Sequence, residues 1–128
     1  MCIRDSIIGC GVAGEESLQK AVNNGVEVNL IDLSEQRLSQ LKSKYGDEKI
    51  NYIVSTPDSI ADSIKDSDLI LGSVYSLGKN APKVVTDSML DSVKPGAVMV
   101  WTSLLIKEDA LKRLHQLLMM IQHSSIKA

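Results

Sequence analysis

Apolar residues fall along this chain in two alternating rhythms. Compact runs, apolar at most positions, cover residues 26–32, 50–54, 68–74 and 97–100, and a shorter one, Ile7-Ile8, opens the series. Such runs suit strands covered on both faces. Between them apolar residues return every three or four positions, as Leu18, Ala21 and Val22 do within 12–25 and Leu38 and Leu41 do within 34–46. Ile60 and Ile64 give one apolar side to a shorter helical segment closed by Lys65-Asp66-Ser67, and a further helix is expected around 86–92. Gly25 stands where a helix C-cap glycine belongs, Ser34 reads as an N-cap, and Gly46 reads as a stop. Strand and helix therefore alternate, which predicts parallel strands joined by right-handed crossovers.

The first junction carries the candidate chemistry. Ile7-Ile8 breaks into Gly9-Cys10-Gly11-Val12-Ala13-Gly14, a Gly-x-Gly-x-x-Gly pattern placed directly before a helix-compatible segment. Gly9 permits a tight turn, Gly11 lets the backbone approach a pyrophosphate, and Gly14 lets the helix pack closely on the strand, with phosphate charge at the helix N-terminus. Glycine turns of this spacing also occur for purely structural reasons. The second strand, however, ends in Asp32, about 20 residues on, where an acid accepts hydrogen bonds from both adenosine ribose hydroxyls and repels a 2′-phosphate. That pairing favours NAD over NADP. A plainer role for Asp32 is to cap the next helix, since Asp and Ser34 are both good N-cap residues. Arg37 also has two readings: a guanidinium stacked on adenine, or a solvated side chain on an exposed helix face. The loop at 75–82, after the fourth strand, is expected at the carboxyl edge of the sheet, on the ligand side. The fold class is α/β: a Rossmann-type doubly wound parallel sheet, incomplete at about five strands, with a C-terminal helical tail.

Composition narrows the partners. With 128 residues the chain is one domain's worth and small for a complete two-domain enzyme. Its aromatic fraction is 3%, with no Phe, so the core must be aliphatic. A net charge of −2 and a pI near 5.6 argue against sequence-independent nucleic-acid binding, which needs a basic surface. Cys2 and Cys10 cannot make a disulfide scaffold, and no Cys/His spacing suits zinc, so no metal is expected. No apolar run reaches the length of a membrane span and no signal sequence opens the chain, so a soluble, cytoplasmic protein is the expectation. Arg4-Asp5-Ser6 interrupts what should be an apolar first strand, and residues 1–6 resemble what a transposon-end sequencing adaptor encodes. The expected division is a non-native leader at 1–6, the dinucleotide-binding domain at 7–100 and an atypical tail at 101–128.

More of the chain then fits a known pattern. The glycine turn with Val12-Ala13-Gly14, Asp32 with Arg37-Leu38, Asp68-Leu69-Ile70-Leu71-Gly72-Ser73-Val74, Gly78 with Ala81-Pro82-Lys83-Val84-Val85, Met89, and Lys94-Pro95-Gly96 together resemble the NAD-binding domain of alanine dehydrogenase. The nicotinamide nucleotide transhydrogenase alpha subunit is a more distant likeness. The resemblance runs over about residues 7–100, and the Ala81-Pro82-Lys83 stretch is its most specific part. It implies NAD as cofactor, contacts from Leu33, Ser55, Val74 and Tyr75 beside those of the glycine turn, Asp32 and Arg37, and an enzyme that oxidatively deaminates L-alanine to pyruvate and ammonia in either direction. It also implies a homo-oligomer and a separate substrate domain. The family's substrate lysine and histidine lie in that other domain, so no catalytic residue is assigned here, and His115 and His123 are no substitutes. The expectation is an NAD(H)-binding fragment inactive alone; the rival is a stand-alone NAD-sensing regulatory domain, and a third reading is a nonbinding scaffold of the same fold.

The resemblance stops at Trp101. The family continues strand five as Val-Asp-Val-Ala-Ile-Asp-Gln-Gly-Gly, with a catalytic aspartate, where this chain has Trp101-Thr102-Ser103-Leu104-Leu105-Ile106. Synonymous codons exist for the stretch from Val100 to Lys112 that, read in a neighbouring phase, spell Val-Asp-Val-Ser-Ile-Asp-Gln-Gly-Gly-Cys-Phe-Glu. Residues 101–128 are therefore expected to be a frame-shifted read. The alternative keeps them native, since Leu111, Leu114, Leu117, Leu118 and Ile121 make an amphipathic helical pattern.

Overall fold

The computed structural model describes residues 3–74 and 85–101. In chain order they form β1 (Arg4–Ile8), α1 (Val12–Asn23), β2 (Glu27–Asp32), α2 (Glu35–Tyr45), β3 (Ile50–Val54), α3 (Pro57–Ile64), β4 (Leu69–Gly72), α4 (Asp87–Leu90) and β5 (Val98–Trp101). The four pairings among these strands are parallel, and the sheet order is β3-β2-β1-β4-β5. The chain winds outward from β1 to β3, then crosses back to start again at β4. This leaves a topological switch between β1 and β4, where helices depart to opposite faces and a crevice opens at the carboxyl ends of the strands.

The pleat explains the two cores. Ile7 packs on one side of the sheet with Leu18 and Ala21 of α1 and Leu38 and Leu41 of α2. Its neighbour Ile8 packs on the other with Ile60 and Ile64 of α3 and Met89 and Leu90 of α4. Leu30 and Ile31 divide in the same way. The sheet is thus covered on both faces by aliphatic side chains, the doubly wound arrangement that the alternating pattern predicts. Helix α3 starts on a capping box in which Thr56 and Ser59 exchange side-chain and backbone hydrogen bonds, with Pro57 in the first turn.

Several boundaries differ from the sequence expectation. The first strand begins at Arg4 and not at residue 7: Arg4, Asp5 and Ser6 pair with Glu27, Val28 and Asn29 of β2. Backbone pairing is indifferent to side-chain polarity, and the Arg4 and Ser6 side chains find partners. Ser6 is fully buried, and its hydroxyl reaches the Ser63 carbonyl at 3.1 Å and the Ser67 hydroxyl at 2.6 Å. The Arg4 guanidinium meets Glu27, and the Arg4 amide donates to Asp68 Oδ2 at 2.9 Å. Asp5 is buried as well, and burial, then the charge of Asp68, pushes its pKa up. Strand β4 stops at Gly72, short of the expected 74, because its partner β1 ends at Ile8, opposite Gly72, and turns away at Gly9. Helix α4 is a single turn, and β5 runs to Trp101, one residue past the expected boundary at 100. The expected loop at 75–82, with its Ala81-Pro82-Lys83 segment, and the helical pattern from Leu111 to Ile121 lie outside the described residues.

Candidate functional site

The glycine turn sits at the carboxyl end of β1, over the switch point. Gly9 adopts a φ of 100°, which only glycine takes without strain, and its amide donates to the Ile31 carbonyl at 2.8 Å. A Cβ there would meet the backbone of Ser73 and Val74 at 2.9 Å, so β4 closes against the turn. Gly14, one turn into α1, is tighter: a Cβ would collide with the Gly9 carbonyl oxygen. Gly11 is the opposite case. It caps α1 without any side-chain bond, and a Cβ on it would meet nothing within 4 Å. The α1 N-terminus therefore presents unspent backbone N–H groups to open space, with Ala13 exposed and Val12 79% exposed on its first turn.

Asp32 ends β2 beside this turn. Its Oδ2 accepts from the Cys10 amide at 2.7 Å and its Oδ1 accepts from the Ser34 amide at 2.8 Å. The helix cap is Ser34 itself, whose hydroxyl accepts from the Arg37 amide at 3.2 Å. The plain reading of Asp32 as the N-cap of α2 is thereby replaced. A carboxylate offers about four lone-pair directions, so two remain for hydroxyl donors. Leu33 lies 70% exposed next to it, an apolar surface at the rim. Ser55 stands one strand further out, its amide on the Asp32 carbonyl at 2.9 Å. Val74 flanks the turn from the β4 side and is half-buried. Tyr75 lies outside the described residues.

Arg37 is engaged. Its Nε donates to the Cys10 carbonyl at 2.9 Å and its Nη2 to Glu15 Oε2 at 2.6 Å. Neither sequence reading, the adenine stack or the free solvated side chain, includes this double bond to turn and helix. Glu15 in turn accepts from Lys44 Nζ at 2.6 Å and from the Tyr45 hydroxyl at 3.2 Å. Those bonds, Lys44's first, hold its pKa down at about 2. The Cys10 thiol, by contrast, is driven up to about 12 by burial first and the Asp32 charge second.

Sequence reasoning missed Glu15, Lys44, Tyr45 and Ser73. Ser73 donates its hydroxyl to the Gly9 carbonyl at 2.8 Å, holding the turn from β4. Its only sequence signal is a small polar residue just past a strand end. Glu15 carries a signal for a first-turn acid complementing the helix dipole, and none for the partners that α2 brings to it.

The open Gly11 backbone, an uncapped helix start, an acid at the second strand's end and apolar rim residues fit the pyrophosphate and ribose of a dinucleotide. The molecule is, by fold and site, a Rossmann-type dinucleotide-binding domain. The sequence model of the family described as alanine dehydrogenase/PNT, C-terminal domain, matches residues 4–103, and the chain belongs to that family, as an NAD(H)-binding domain of the alanine dehydrogenase kind. Alanine dehydrogenase of Halomonas elongata is 39% identical over 97 residues, 76% of this chain and 26% of that protein. Alanine dehydrogenase of Bacillus subtilis is 40% identical over 95 residues, 74% of this chain and 25% of that protein. Among solved structures, an L-alanine dehydrogenase superposes with a TM-score of 0.77 at 27% identity, covering 83% of this chain and 30% of that one. The transhydrogenase from Sinorhizobium meliloti superposes at 0.63 and 28% identity, covering 76% and 27%. The chain thus spans about a quarter of the length of the curated relatives it matches. Among the described residues, no helix is long and apolar enough to cross a membrane.

Proposed function

We propose that this chain is the coenzyme-holding part of an alanine dehydrogenase-like oxidoreductase, whose whole protein converts L-alanine, NAD⁺ and water to pyruvate, ammonium, NADH and a proton. In that reading Gly9 and Gly14 shape the turn, and the Gly11, Val12 and Ala13 backbone receives the pyrophosphate. Asp32 takes the ribose hydroxyls. Leu33, Arg37 and Ser55 line the adenosine side, Val74 contributes from the β4 side, and Tyr75, outside the described residues, is the further contact that the family likeness implies. The bound NAD(H) supplies the hydride chemistry, and this domain's share is to position the ring. The substrate's acid-base groups belong to a domain that this chain does not include. A homo-oligomer and a cytoplasmic location go with this reading.

The observation that carries it is the bond from Asp32 to the glycine turn beside an open Gly11. Titration of the purified chain with NADH and NADPH tests it: tighter NADH binding is expected, and equal or reversed affinities would remove Asp32 from its role. Alanine-dependent NADH formation by this chain alone would show that the substrate groups had been misplaced.

A further inference from the structure

The charges around Asp32 balance in an unusual way. Arg37 sits in the first turn of α2, next to the strand end where a 2′-phosphate would fall, and an arginine in that neighbourhood is what accommodates such a phosphate. Here that guanidinium is already held. It spends Nε on the Cys10 carbonyl and Nη2 on Glu15, and Glu15 also neutralises Lys44 from the next turns of the same helix. Both Glu15 oxygens are committed, Oε2 to Arg37 and Oε1 to Lys44 and Tyr45. Yet Glu15 is placed in the first turn of α1, close to where pyrophosphate charge is to be received, so on electrostatic grounds it is a poor residue for the phosphate itself. Its geometry suits the restraint of two cations better than contact with a ligand.

We propose that Glu15 is a second determinant of coenzyme choice, a positioning residue that holds Arg37 against the glycine turn and so denies a 2′-phosphate the cation that would receive it. Asp32 repels the extra phosphate directly, and Glu15 keeps the compensating charge occupied. With Glu15 neutral, Arg37 would lose its charged partner next to the end of β2, and a group carrying about −1.5 to −2 charge would find a cation to receive it. The pyrophosphate is common to both coenzymes, so its own relief from the Glu15 charge cancels in the ratio of their affinities.

The proposal rests on the dinucleotide reading of this site, and the test separates the two. The full chain, its Glu15→Gln variant, Arg37→Met and the double variant are titrated with NADH and NADPH at low and high salt. In Glu15→Gln the ratio of the NADPH to the NADH dissociation constant is expected to fall at least fivefold, with the fall shrinking as salt screens it. In the double variant the ratio is expected to return to that of Arg37→Met. Circular dichroism and a cooperative urea transition report that each variant has folded, and the ratio is read from the two coenzymes on the same variant. A ratio within twofold of the parent's while NADH still binds overturns the role of Glu15 and leaves the dinucleotide site standing. A fall that persists without Arg37 overturns it as well. A parent chain that binds neither coenzyme overturns the site reading and this inference together.

Discussion

The Cys10 amide donates to Asp32 Oδ2 at 2.7 Å, so the acid at the end of β2 is anchored to the glycine turn at the end of β1. The same carboxylate holds the Ser34 amide at the entrance to α2. One side chain therefore fixes turn, strand end and helix start with respect to one another, and keeps free lone pairs facing outward.

Replacing it should cost twice. Asp32→Ala strands the Cys10 amide, and hydrogen bonds to a charged acceptor contribute about 1.5–3 kcal/mol net. Unfolding stability should drop by about that much, and NADH affinity should fall at least tenfold. Urea unfolding and NADH titration of the variant measure the two losses; unchanged stability would mean that the bond across the turn carries no weight.

The two inner glycines should separate stability from binding. A Cβ on Gly14 runs into the Gly9 carbonyl, so Gly14→Ala should destabilise the fold by about 3 kcal/mol or more through overpacking of backbone. Gly11 has an ordinary φ of −68° and open space around its Cβ direction. Gly11→Ala should cost less than about 1 kcal/mol of stability, the usual scale at a helix N-cap, and still weaken NADH binding strongly. Thermal unfolding alongside coenzyme titration distinguishes them, and equal stability losses would contradict the assignment.

The fold was legible because its signals are local and repeated. The aliphatic runs and the three-to-four spacing of Leu18, Ala21, Leu38 and Leu41 locate strands and helices, and the strand-to-helix glycine turn locates the switch point. The start of β1 was not legible, because Asp5 and Ser6 are polar in sequence and are buried only once β2 and β4 pair on either side of them and Ser63 meets the Ser6 hydroxyl. The Glu15 cluster was hidden for a similar reason: Lys44 and Tyr45 come from the far end of a different helix, and only packing of α1 beside α2 unites them. Asp32 could be named from its spacing, whereas its bond to Cys10 could not.

For the stretch 101–128 we propose a reading out of frame, and the gene decides it. Sequencing the source DNA is expected to return codons that spell the Val-Asp-Val-Ser-Ile-Asp-Gln-Gly-Gly continuation in the neighbouring phase. Codons that cannot yield that string would establish the tail as read in its own frame.

Glu15 also sets an acid limit on stability. Its pKa is lowered from an ordinary 4.5 to about 2 by its bonds to Lys44 and Arg37. Between those values the unfolded chain binds a proton that the folded chain does not, so stability rises with pH across the interval. The contribution is complete above about pH 4.5 and is lost as pH falls toward about 2. Urea midpoints of the parent and Glu15→Gln should therefore differ at pH 7 and converge on acidification through that window; a constant gap down to pH 2 would assign the effect to something other than this carboxylate.

Cys10 should behave as an inert filler in spite of its place in the turn. Its side chain is 1% exposed, and its thiol pKa rises from an ordinary 9.0 to about 12, from burial first and from the Asp32 charge second. That shift leaves far less thiolate near neutral pH, and thiolate is the reactive form. Exposure to iodoacetamide at pH 8, followed by peptide mass mapping, should leave Cys10 unmodified in the folded chain and label it fully in urea. Stability has the matching sign: above pH 9 the unfolded thiol ionises while the folded one keeps its proton, so folding weakens as pH climbs from about 9 toward 12. A Cys10→Ala variant, which has no thiol here to titrate, should lose stability less steeply over that range. Rapid native labelling, or identical alkaline profiles for parent and variant, would mean that the turn opens far more readily than its bonds to Asp32 and Ile31 allow.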